Sequence, residues 1–210
     1  MSQAEEADTV QGARLTTAPR SSAAAGAVAL LRACWCRLKW RVLRQRFRAG
    51  RNFRVYGSIE ISGPGQVIFG DDVAVVEHAR ARTYAVTARI LVGNNVLIGS
   101  TRFGCAVEIE VGDGCQLAEA YIMDTDFHST REDRRTDRAP IRCASVRIGR
   151  NVWVAHGAGI LPGAHIGDNS VVSFGAVCAR DYPPNVILMG NPARAAAPIP
   201  RIDAPVDGVA

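Results

Sequence analysis

The chain has 210 residues, 48% of them hydrophobic and 21% charged, and its formal net charge is +5. This length is enough for one domain with tails, and no segment suggests a second hydrophobic core. The six cysteines include no C-x-x-C pair and no cluster of ligands for a structural zinc ion, so a reducing cytoplasm is the expected setting.

The positive charge is concentrated near the N-terminus. No acidic residue occurs between Thr9 and Ile59. Positions 32–54 within this part hold nine basic residues: Arg32, Arg37, Lys39, Arg41, Arg44, Arg46, Arg48, Arg51 and Arg54. Residues 1–23 are expected to form a poorly ordered tail. From Ala27 to Arg48 no Gly, Pro or acidic residue interrupts a mixture of apolar and basic side chains, which predicts a helix over about 24–48 in a basic amphipathic segment 24–50.

This segment does not have the pattern of a membrane span or a cleaved signal peptide. Its apolar run, residues 21–31, is about half the length that a bilayer requires, and the charge follows the run instead of preceding it. Three roles remain: adsorption to an anionic membrane, nucleic-acid binding, or packing on the end of the next domain. Membrane contact is preferred to nucleic acid as a partner, and the segment is expected to be dispensable for chemistry.

A six-residue repeat dominates the second half of the chain. Every sixth residue from Ile148 onwards is apolar, and we call this set of positions the inward channel: Ile148, Val154, Ile160, Ile166, Val172 and Cys178. Three positions later the chain has only Gly or Asn: Asn151, Gly157, Gly163, Asn169 and Gly175. A period of six fits neither a helix nor a long alternating strand, and it predicts one strand and one corner per hexad. Gly and Asn enter the left-handed backbone region most easily, so they mark the corners.

Three corners close a triangular coil of eighteen residues. The motifs IGRNV at 148 and IGDNS at 166 are eighteen residues apart, so they lie on neighbouring coils. Similar motifs at 69, 92 and 111 extend the pattern towards the N-terminus with less regular spacing. The chain therefore predicts a parallel β-helix over residues 51–196, with inward apolar residues that include Cys115 and Cys178. The alternative is a pair of antiparallel sheets with Gly-rich turns, which would not keep these channels in phase.

The repeat is interrupted at residues 129–141, just after the stretch DTDFH. A solenoid tolerates such an insertion only at a corner, so a protruding loop is expected there, and loops on regular scaffolds often carry binding sites. Counting back along the lattice places Met123 and Phe127 inward. The same count predicts that His128, the next residue of the strand, points outward at the foot of the loop.

The hexads at 148–177, the closing segment RDYPPNVILMGNPAR at 180–194 and the upstream DTDFH resemble the left-handed β-helix hexapeptide-repeat acyltransferases. The resemblance is greatest to the branch of maltose, galactoside and exopolysaccharide O-acetyltransferases. It implies a left-handed coil, acetyl-CoA as co-substrate without a metal, a homotrimer, and a general-base role for His128. A neutral imidazole is suited to removing the proton of an acceptor hydroxyl as it attacks a thioester.

The same resemblance suggests roles for further residues. Asp124 or Asp126 would orient the imidazole ring or the sugar, and Trp153 would stack on the acceptor or contact another subunit. The pantetheine arm of the cofactor would follow a groove between coils of neighbouring subunits. Its predicted contacts are His156, Ser173, Phe174, Arg180 and Arg194. His156 and Phe174 depart from the family pattern, because relatives have two small residues at these stacked positions.

Together these observations predict a cytoplasmic O-acetyltransferase that acetylates a sugar hydroxyl in a glycan or glycolipid precursor, at or near the inner membrane face, as in polysaccharide biosynthesis. Two alternatives stay open. One is a β-helix that has lost its groove and serves as a non-catalytic binding scaffold. The other is a zinc hydrolyase of the same fold, which would need converging histidines that are not found at suitable spacing. Residues 197–210 are expected to form a C-terminal tail.

Overall fold

The computed structural model describes residues 23–42, 46–136 and 138–200. The predicted tails 1–23 and 197–210 lie outside these residues except for Ala23, which begins α1, and 197–200, of which the first two end strand β21, so the predicted boundary after 196 is two residues early. In chain order the elements are α1 (Ala23–Val42), β1 (Arg46–Ala49), β2 (Arg54–Val55), β3 (Ser58–Ser62), β4 (Gln66–Phe69), β5 (Ala74–Val75), β6 (His78–Thr83), β7 (Arg89–Val92), β8 (Leu97–Ile98), β9 (Arg102–Cys105), β10 (Glu108–Val111), β11 (Gln116–Leu117), β12 (Tyr121–Met123), β13 (Val146–Ile148), β14 (Trp153–Val154), β15 (Gly159–Ile160), β16 (His165–Ile166), β17 (Val171–Val172), β18 (Val177–Cys178), β19 (Asp181–Tyr182), β20 (Val186–Met189) and β21 (Arg194–Pro198).

The strands form three parallel sheets that are the faces of a left-handed β-helix, as predicted. Sheet A contains β1, β4, β7, β10, β13, β16 and β19. Sheet B contains β2, β5, β8, β11, β14, β17 and β20, with β21 added in antiparallel pairing. Sheet C contains β3, β6, β9, β12, β15 and β18. Each coil contributes one strand to each sheet, so six coils are complete and β19 to β21 form a partial seventh.

The inward channel of the hexads fills the interior of the prism. All six residues of the predicted channel, from Ile148 to Cys178, are no more than 3% exposed, and Cys115 is also buried. Strands of two to six residues suffice because every backbone group pairs with the coil above or below, so each added coil extends the same core. The structure confirms the assignment of this channel.

The corner residues adopt the conformation that their identity predicts. Asn151, Gly157, Gly163, Asn169 and Gly175 all have positive φ, between 53° and 81°. Side-chain amides of successive corners also bond to each other: Asn151 Nδ2 donates to Asn169 Oδ1 at 3.0 Å, and Asn169 Nδ2 donates to Asn185 Oδ1 at 3.2 Å. Asn therefore contributes both the turn geometry and a ladder of hydrogen bonds along the edge.

Helix α1 closes the N-terminal end of the β-helix. Ala29, Ala33 and Trp40 are buried on the face turned to the first coil, and the Trp40 ring meets the Phe47 ring at 4.6 Å. Phe47 in turn contacts the rings of Phe53 and Phe69. Of the three roles predicted for the segment, packing on the domain end is thus present in the structure.

Two expectations for this segment are wrong. The helix ends at Val42, and Arg46–Ala49 forms strand β1, so the β-helix starts about five residues before the predicted boundary at 51. Phe47 has the alternating environment of a strand because its ring contacts the first core aromatics, and this tertiary contact outweighs helix propensity. That the segment is dispensable for the chemistry stays a prediction, and the contact of Trp40 with Phe47 shows that α1 covers the first coil.

The predicted interruption separates β12 from β13. Trp153 pairs with Val171, 18 positions later, but on its other side it pairs with Gln116, 37 positions earlier. The extra residues leave sheet C after Met123 and return before Val146. Thr125 and Cys143 form an antiparallel bridge at the neck of this loop. The insertion therefore protrudes at the corner between sheets C and A, and the coils on either side stay in register.

Candidate functional site

A groove of about 590 Å³ runs along the corner between sheets B and C. Its lining residues are Glu119, Tyr121, Trp153, Ala155, His156, Gly157, Val171, Ser173 and Phe174. They come from three successive coils, so the groove follows the axis of the prism. Four of the residues predicted to bind acceptor or cofactor are brought together here: Trp153, His156, Ser173 and Phe174.

Two aromatic side chains stand at this groove with much of their surface exposed. Trp153 is 51% exposed and Phe174 is 80% exposed. His156 and Phe174 stack one coil apart at the corner, as predicted, and the backbone N–H of Gly175 donates to the His156 carbonyl at 3.1 Å. Because Phe174 extends into solvent, it borders the groove and leaves its volume open.

Glu119 and Tyr121 belong to the groove but were not among the predicted site residues. The lattice count had placed Met123 inward, and the structure shows that this is wrong, because Ile122 is the buried residue of β12 and pairs with Ile160. Tyr121 therefore points outward. An error of one residue in the lattice count assigns Tyr121 to the interior, because neighbouring residues of a strand face opposite sides. A count anchored on Ile122 would have found it.

His128 lies five residues beyond the end of β12, in a tight turn at the foot of the loop, and its side chain is exposed as predicted. The turn, and not strand alternation, sets its direction. Its backbone N–H donates to the Asp126 carbonyl at 2.7 Å, and the intervening Phe127 has φ of 60°. A bulky residue enters this backbone region only when its surroundings hold it there, and such strain is often found at functional sites.

Contacts of the Phe127 ring explain how this conformation is held. A Cβ added to Gly104 would lie 2.7 Å from Cζ of Phe127, so the ring occupies the space that a side chain at position 104 would need. The Tyr84 ring packs against it edge-on at 5.1 Å. Phe127 is therefore a half-buried anchor on the outer face of sheet C, not the inward core residue that the lattice count predicted.

Asp124 is fully buried under the same corner. Its carboxylate accepts hydrogen bonds from the backbone N–H groups of Ala106 at 2.6 Å and Val107 at 2.7 Å, and from the Cys105 thiol at 3.3 Å. Burial, together with the Asp124 charge, raises the pKa of Cys105 above its ordinary range. This geometry directs Asp124 to the backbone of the coil below, not to a ligand, because both of its oxygens are engaged inside the protein.

The neck of the loop is tied by backbone and side-chain bonds. The N–H of Asp126 donates to the Arg142 carbonyl at 3.0 Å, and the N–H of Ala144 donates to the Asp124 carbonyl at 2.9 Å. The Cys143 thiol donates to Thr125 Oγ1 at 3.3 Å. Asp126 itself is half-buried between the pinned neck and His128. The base of the loop is thus as well bonded as a regular coil.

The two arginines of the closing segment lie outside the groove lining. The Arg180 guanidinium stacks over Tyr182 at 5.6 Å, and one of its nitrogens donates to the Ala193 carbonyl at 3.4 Å. Arg194 begins β21 and is exposed. His128, Asp124 and Asp126 are also absent from the lining of the groove. Across the described ranges, no group of three or more His, Cys, Asp or Glu side chains is arranged to hold a metal ion.

Comparison with known proteins confirms the predicted resemblance. Residues 145–180 match the family model of the bacterial transferase hexapeptide (six repeats). The chain is 33% identical over 86 residues to galactoside O-acetyltransferase of Escherichia coli. This match covers 41% of the chain and 42% of that relative. The chain is 38% identical over 110 residues to nodulation protein L of Rhizobium meliloti, which covers 49% of this chain and 59% of the relative. The matched part thus spans about half the length of these relatives.

The fold is also found among solved structures. AntD, an N-acyltransferase from Bacillus cereus solved with dTDP and 3-hydroxybutyryl-CoA, superimposes with a TM-score of 0.65 at 17% identity. The superposition covers 78% of this chain and 89% of AntD. At this level of identity the likeness supports the β-helix architecture alone.

Proposed function

We propose that the protein is an acyl-CoA-dependent O-acetyltransferase that acetylates a hydroxyl group of a sugar, with His128 as general base. The observation that carries this proposal is the exposed imidazole held on a strained, bonded turn at the interruption of the repeat. Sequence similarity to O-acetyltransferases in the coils that follow supports the same reaction class. Neither the strain at Phe127 nor the buried charge of Asp124 is needed for a plain β-helix corner.

The reaction that this arrangement supports is a direct transfer. His128 accepts the proton of the acceptor hydroxyl as its oxygen attacks the thioester carbonyl. A C–O bond forms, the C–S bond breaks, and the coenzyme A thiolate leaves and takes up the proton from the imidazolium. The thioester is already activated, so positioning and proton removal are the main contributions required of the protein.

The groove is the proposed site of acetyl-CoA. Its largely apolar walls suit the pantetheine arm, with Ser173 as a polar contact and Trp153 and Phe174 at the sides. The open volume beside the exposed Phe174 argues against loss of the groove, which was the basis of the non-catalytic scaffold alternative. Arg180 and Arg194 remain candidates for the cofactor phosphates at the last coil.

A homotrimer would complete the site. His128 lies at the corner between sheets C and A, whereas the groove lies between sheets B and C, so one chain does not bring them together. In a closed ring of head-to-tail contacts, the groove of one subunit meets the loop corner of the next. The outward side of sheet B offers apolar residues for such a contact: Leu97, Trp153, Val171 and Ile187.

The test is the release of free coenzyme A from acetyl-CoA with a panel of sugar acceptors. His128→Ala should lower turnover by about 10² to 10⁴ and leave the trimer and the melting temperature unchanged, because the side chain is exposed. His165→Ala is the matched control, since His165 is an outward histidine on sheet A whose Nδ1 lies 3.0 Å from Asp181 Oδ1. Near-full activity of His128→Ala with the accepted sugar would refute the assignment.

We also propose that α1 holds the enzyme on an anionic membrane, where a glycolipid-linked acceptor would be available. The face opposite the buried Ala29, Ala33 and Trp40 carries an apolar stripe with spacing of three and four residues: Val28, Leu31, Trp35, Leu38 and Val42. These side chains are between 45% and 72% exposed. Capping the β-helix and meeting a membrane are thus compatible, because they use opposite faces of one helix.

Charge favours lipid over a second helix as the partner of this stripe. Arg32, Lys39 and Arg41 flank it, and the described residues from Ala23 to Ile59 include no carboxylate that could pair with them on another copy. Among the residues described, no helix has the length and apolar character to cross a bilayer. A cytoplasmic location at the inner membrane face is part of this proposal. The exposed thiols of Cys34 and Cys143 suit a reducing compartment.

Vesicle co-sedimentation tests the membrane proposal with the full chain. Leu31→Gln combined with Trp35→Gln should abolish binding to vesicles containing phosphatidylserine at low salt, because it removes the inserted apolar area. Val86→Gln, which alters a 60% exposed apolar residue elsewhere, is the control. Binding of the unmodified protein should weaken as salt rises. If the unmodified protein does not bind anionic vesicles at low salt, the membrane proposal is wrong and a soluble acceptor is expected.

A further inference from the structure

The outer face of sheet C carries a row of arginines that leads to His128. Register pairing places Arg80 beside Arg102 on neighbouring strands, and Arg82 beside Gly104. The Phe127 ring lies over Gly104, so it is next to Arg82 in the same row. Arg82, Tyr84, Phe127 and His128 therefore form one continuous surface.

Five outward arginines of the β-helix pair with a carboxylate on the adjacent coil. These pairs are Arg51–Asp71, Arg80–Glu60, Arg89–Glu108, Arg147–Glu110 and Arg150–Asp168. Arg82 and Arg102 differ. Within the described part of the chain, neither has a carboxylate partner, and each guanidinium instead lies over a tyrosine ring, Arg82 over Tyr84 at 5.3 Å and Arg102 over Tyr121 at 5.1 Å.

Stacking on an aromatic ring fixes a guanidinium without using its N–H groups. The cation is attracted to the ring face, and its N–H donors stay free to bind an anion. Arg82 and Arg102 are exposed, and the Tyr84 ring that supports Arg82 also contacts Phe127. Two cations without a carboxylate partner are thus built into the outer face of sheet C, and Arg82 is the one next to Phe127 and the proposed base.

We infer that the acceptor is an anionic sugar, bearing a phosphate or a carboxylate, and that Arg82 binds this group beside His128 while Arg102, on the next strand of sheet C, adds a second cation for it. The inference rests on the proposed function, because it assigns the substrate class of the same site. Arg80 takes no part, since its guanidinium is 3.0 Å from Glu60 Oε2. The planar fork of arginine matches the oxygen atoms of either anion, so both sources of charge are tested.

The experiment compares sugars that share the same ring and the same secondary hydroxyls but carry a neutral or an anionic group at C6. Methyl glycosides of glucose, galactose and mannose are assayed against their 6-phosphates and the corresponding uronates, by release of coenzyme A at low and high salt. The unmodified enzyme should prefer an anionic member of at least one set. Arg82→Gln or Arg102→Gln should then lower kcat/KM for that sugar by about 10- to 100-fold, mainly through KM, which is the range for losing a hydrogen bond to a charged group.

Controls separate charge recognition from general damage. Arg80→Gln changes a residue on the same strand whose charge is already paired, and it should leave the preference for the anionic sugar unchanged. Arg80→Gln should also acetylate the neutral sugar as well as the unmodified enzyme does. A preference for the neutral sugar in every set, or an equal loss for both members of a set in Arg82→Gln, would overturn the inference.

Calorimetric binding of the same sugars distinguishes this inference from the proposed function itself. If no sugar releases coenzyme A but an anionic sugar binds the unmodified protein and not Arg82→Gln, then acetyl transfer is refuted and the anion site stands. If sugars are acetylated but binding does not depend on charge, the anion site is refuted and the proposed function stands. If no anionic sugar binds and none is acetylated, both are refuted.

Discussion

The regular coils from β13 to β18 and the corner that carries His128 turn the chain in different ways. In the regular coils every corner has Asn or Gly in the left-handed region, such as Asn169 at 55°. At the loop corner the left-handed residue is Phe127, and the buried polar group beneath it is the carboxylate of Asp124. The Asn or Gly corner costs little conformational energy and recurs in every regular coil. The corner with Phe127 requires a Gly on the coil below to make room for the ring, and Asp124 requires two backbone donors.

This difference indicates that the corner with His128 has features that folding of the β-helix does not require. A plain β-helix has no use for an aromatic residue at positive φ or for a buried carboxylate, because Gly or Asn alone would turn the chain. Strain and buried charge persist when the surroundings compensate for them. Their meeting at one corner, next to an exposed histidine, supports the location of the proposed site.

The largest expected effect comes from Asp124→Ala, which removes the acceptor for two buried backbone N–H groups. We expect the free energy of unfolding to fall by about 3–5 kcal/mol, since each unpaired donor contributes up to about 3 kcal/mol. Urea unfolding measures it. Asp126→Ala, a change to a half-buried neighbour, should stay within about 1 kcal/mol. If the two variants are equally stable, Asp124 does not support the corner.

The second prediction concerns the Gly104 contact with Phe127. Gly104→Ala should displace the Phe127 ring, because the new Cβ would lie 2.7 Å from Cζ. Since the ring holds the turn before His128, turnover should fall by about 10-fold or more from misplacement of the base. Gly159→Ala is the control on the same sheet, where the nearest atom, a methyl of Val177, is 3.7 Å away. Equal turnover in both variants would show that Phe127 does not position His128.

The third prediction applies to the regular coils. Asn169→Ala keeps a β-carbon at a φ of 55° but removes the side-chain amide that makes Asn tolerant of this region, and it breaks the amide ladder, so we expect a loss of about 1–2 kcal/mol in unfolding free energy. Asn169→Gly breaks the same ladder without the strain. The glycine variant should therefore be the more stable of the two in thermal unfolding. Because both variants lack the ladder, the opposite order would show that the left-handed conformation does not strain alanine at this corner.

The smallest effect is the pH dependence of the exposed ion pair at one corner of the regular coils. The backbone N–H and the guanidinium of Arg150 lower the pKa of Asp168 below its ordinary value. A lowered folded pKa stabilises the protein above the unfolded pKa, about 4, and this stabilisation is lost as pH falls through the folded value. The melting temperature of Asp168→Asn should lie slightly below that of the unmodified protein at pH 7, and the gap should narrow as pH falls below about 4. A gap that widens in acid would contradict this assignment.

Some of the site was predictable because motif and period point to the same residues. His128 follows from the family motif, and Trp153, His156, Ser173 and Phe174 follow from positions in the strict hexads, which is why the structure finds these four along one groove. Tyr121 and Glu119 were missed because the lattice count was carried back across the insertion, where a shift of one residue exchanges the faces of a strand.

The sequence by itself determined the repeat, its inward channel and its corners, because these depend on local backbone preference and on burial that recurs every six residues. Only the tertiary structure decided where α1 ends, that Phe127 lies over Gly104, and that Asp124 is directed to the backbone of Ala106 and Val107. Those outcomes depend on contacts between coils about twenty residues apart. A local sequence pattern does not predict such contacts. A strained turn needs space on the neighbouring coil, and a buried carboxylate needs hydrogen-bond donors there.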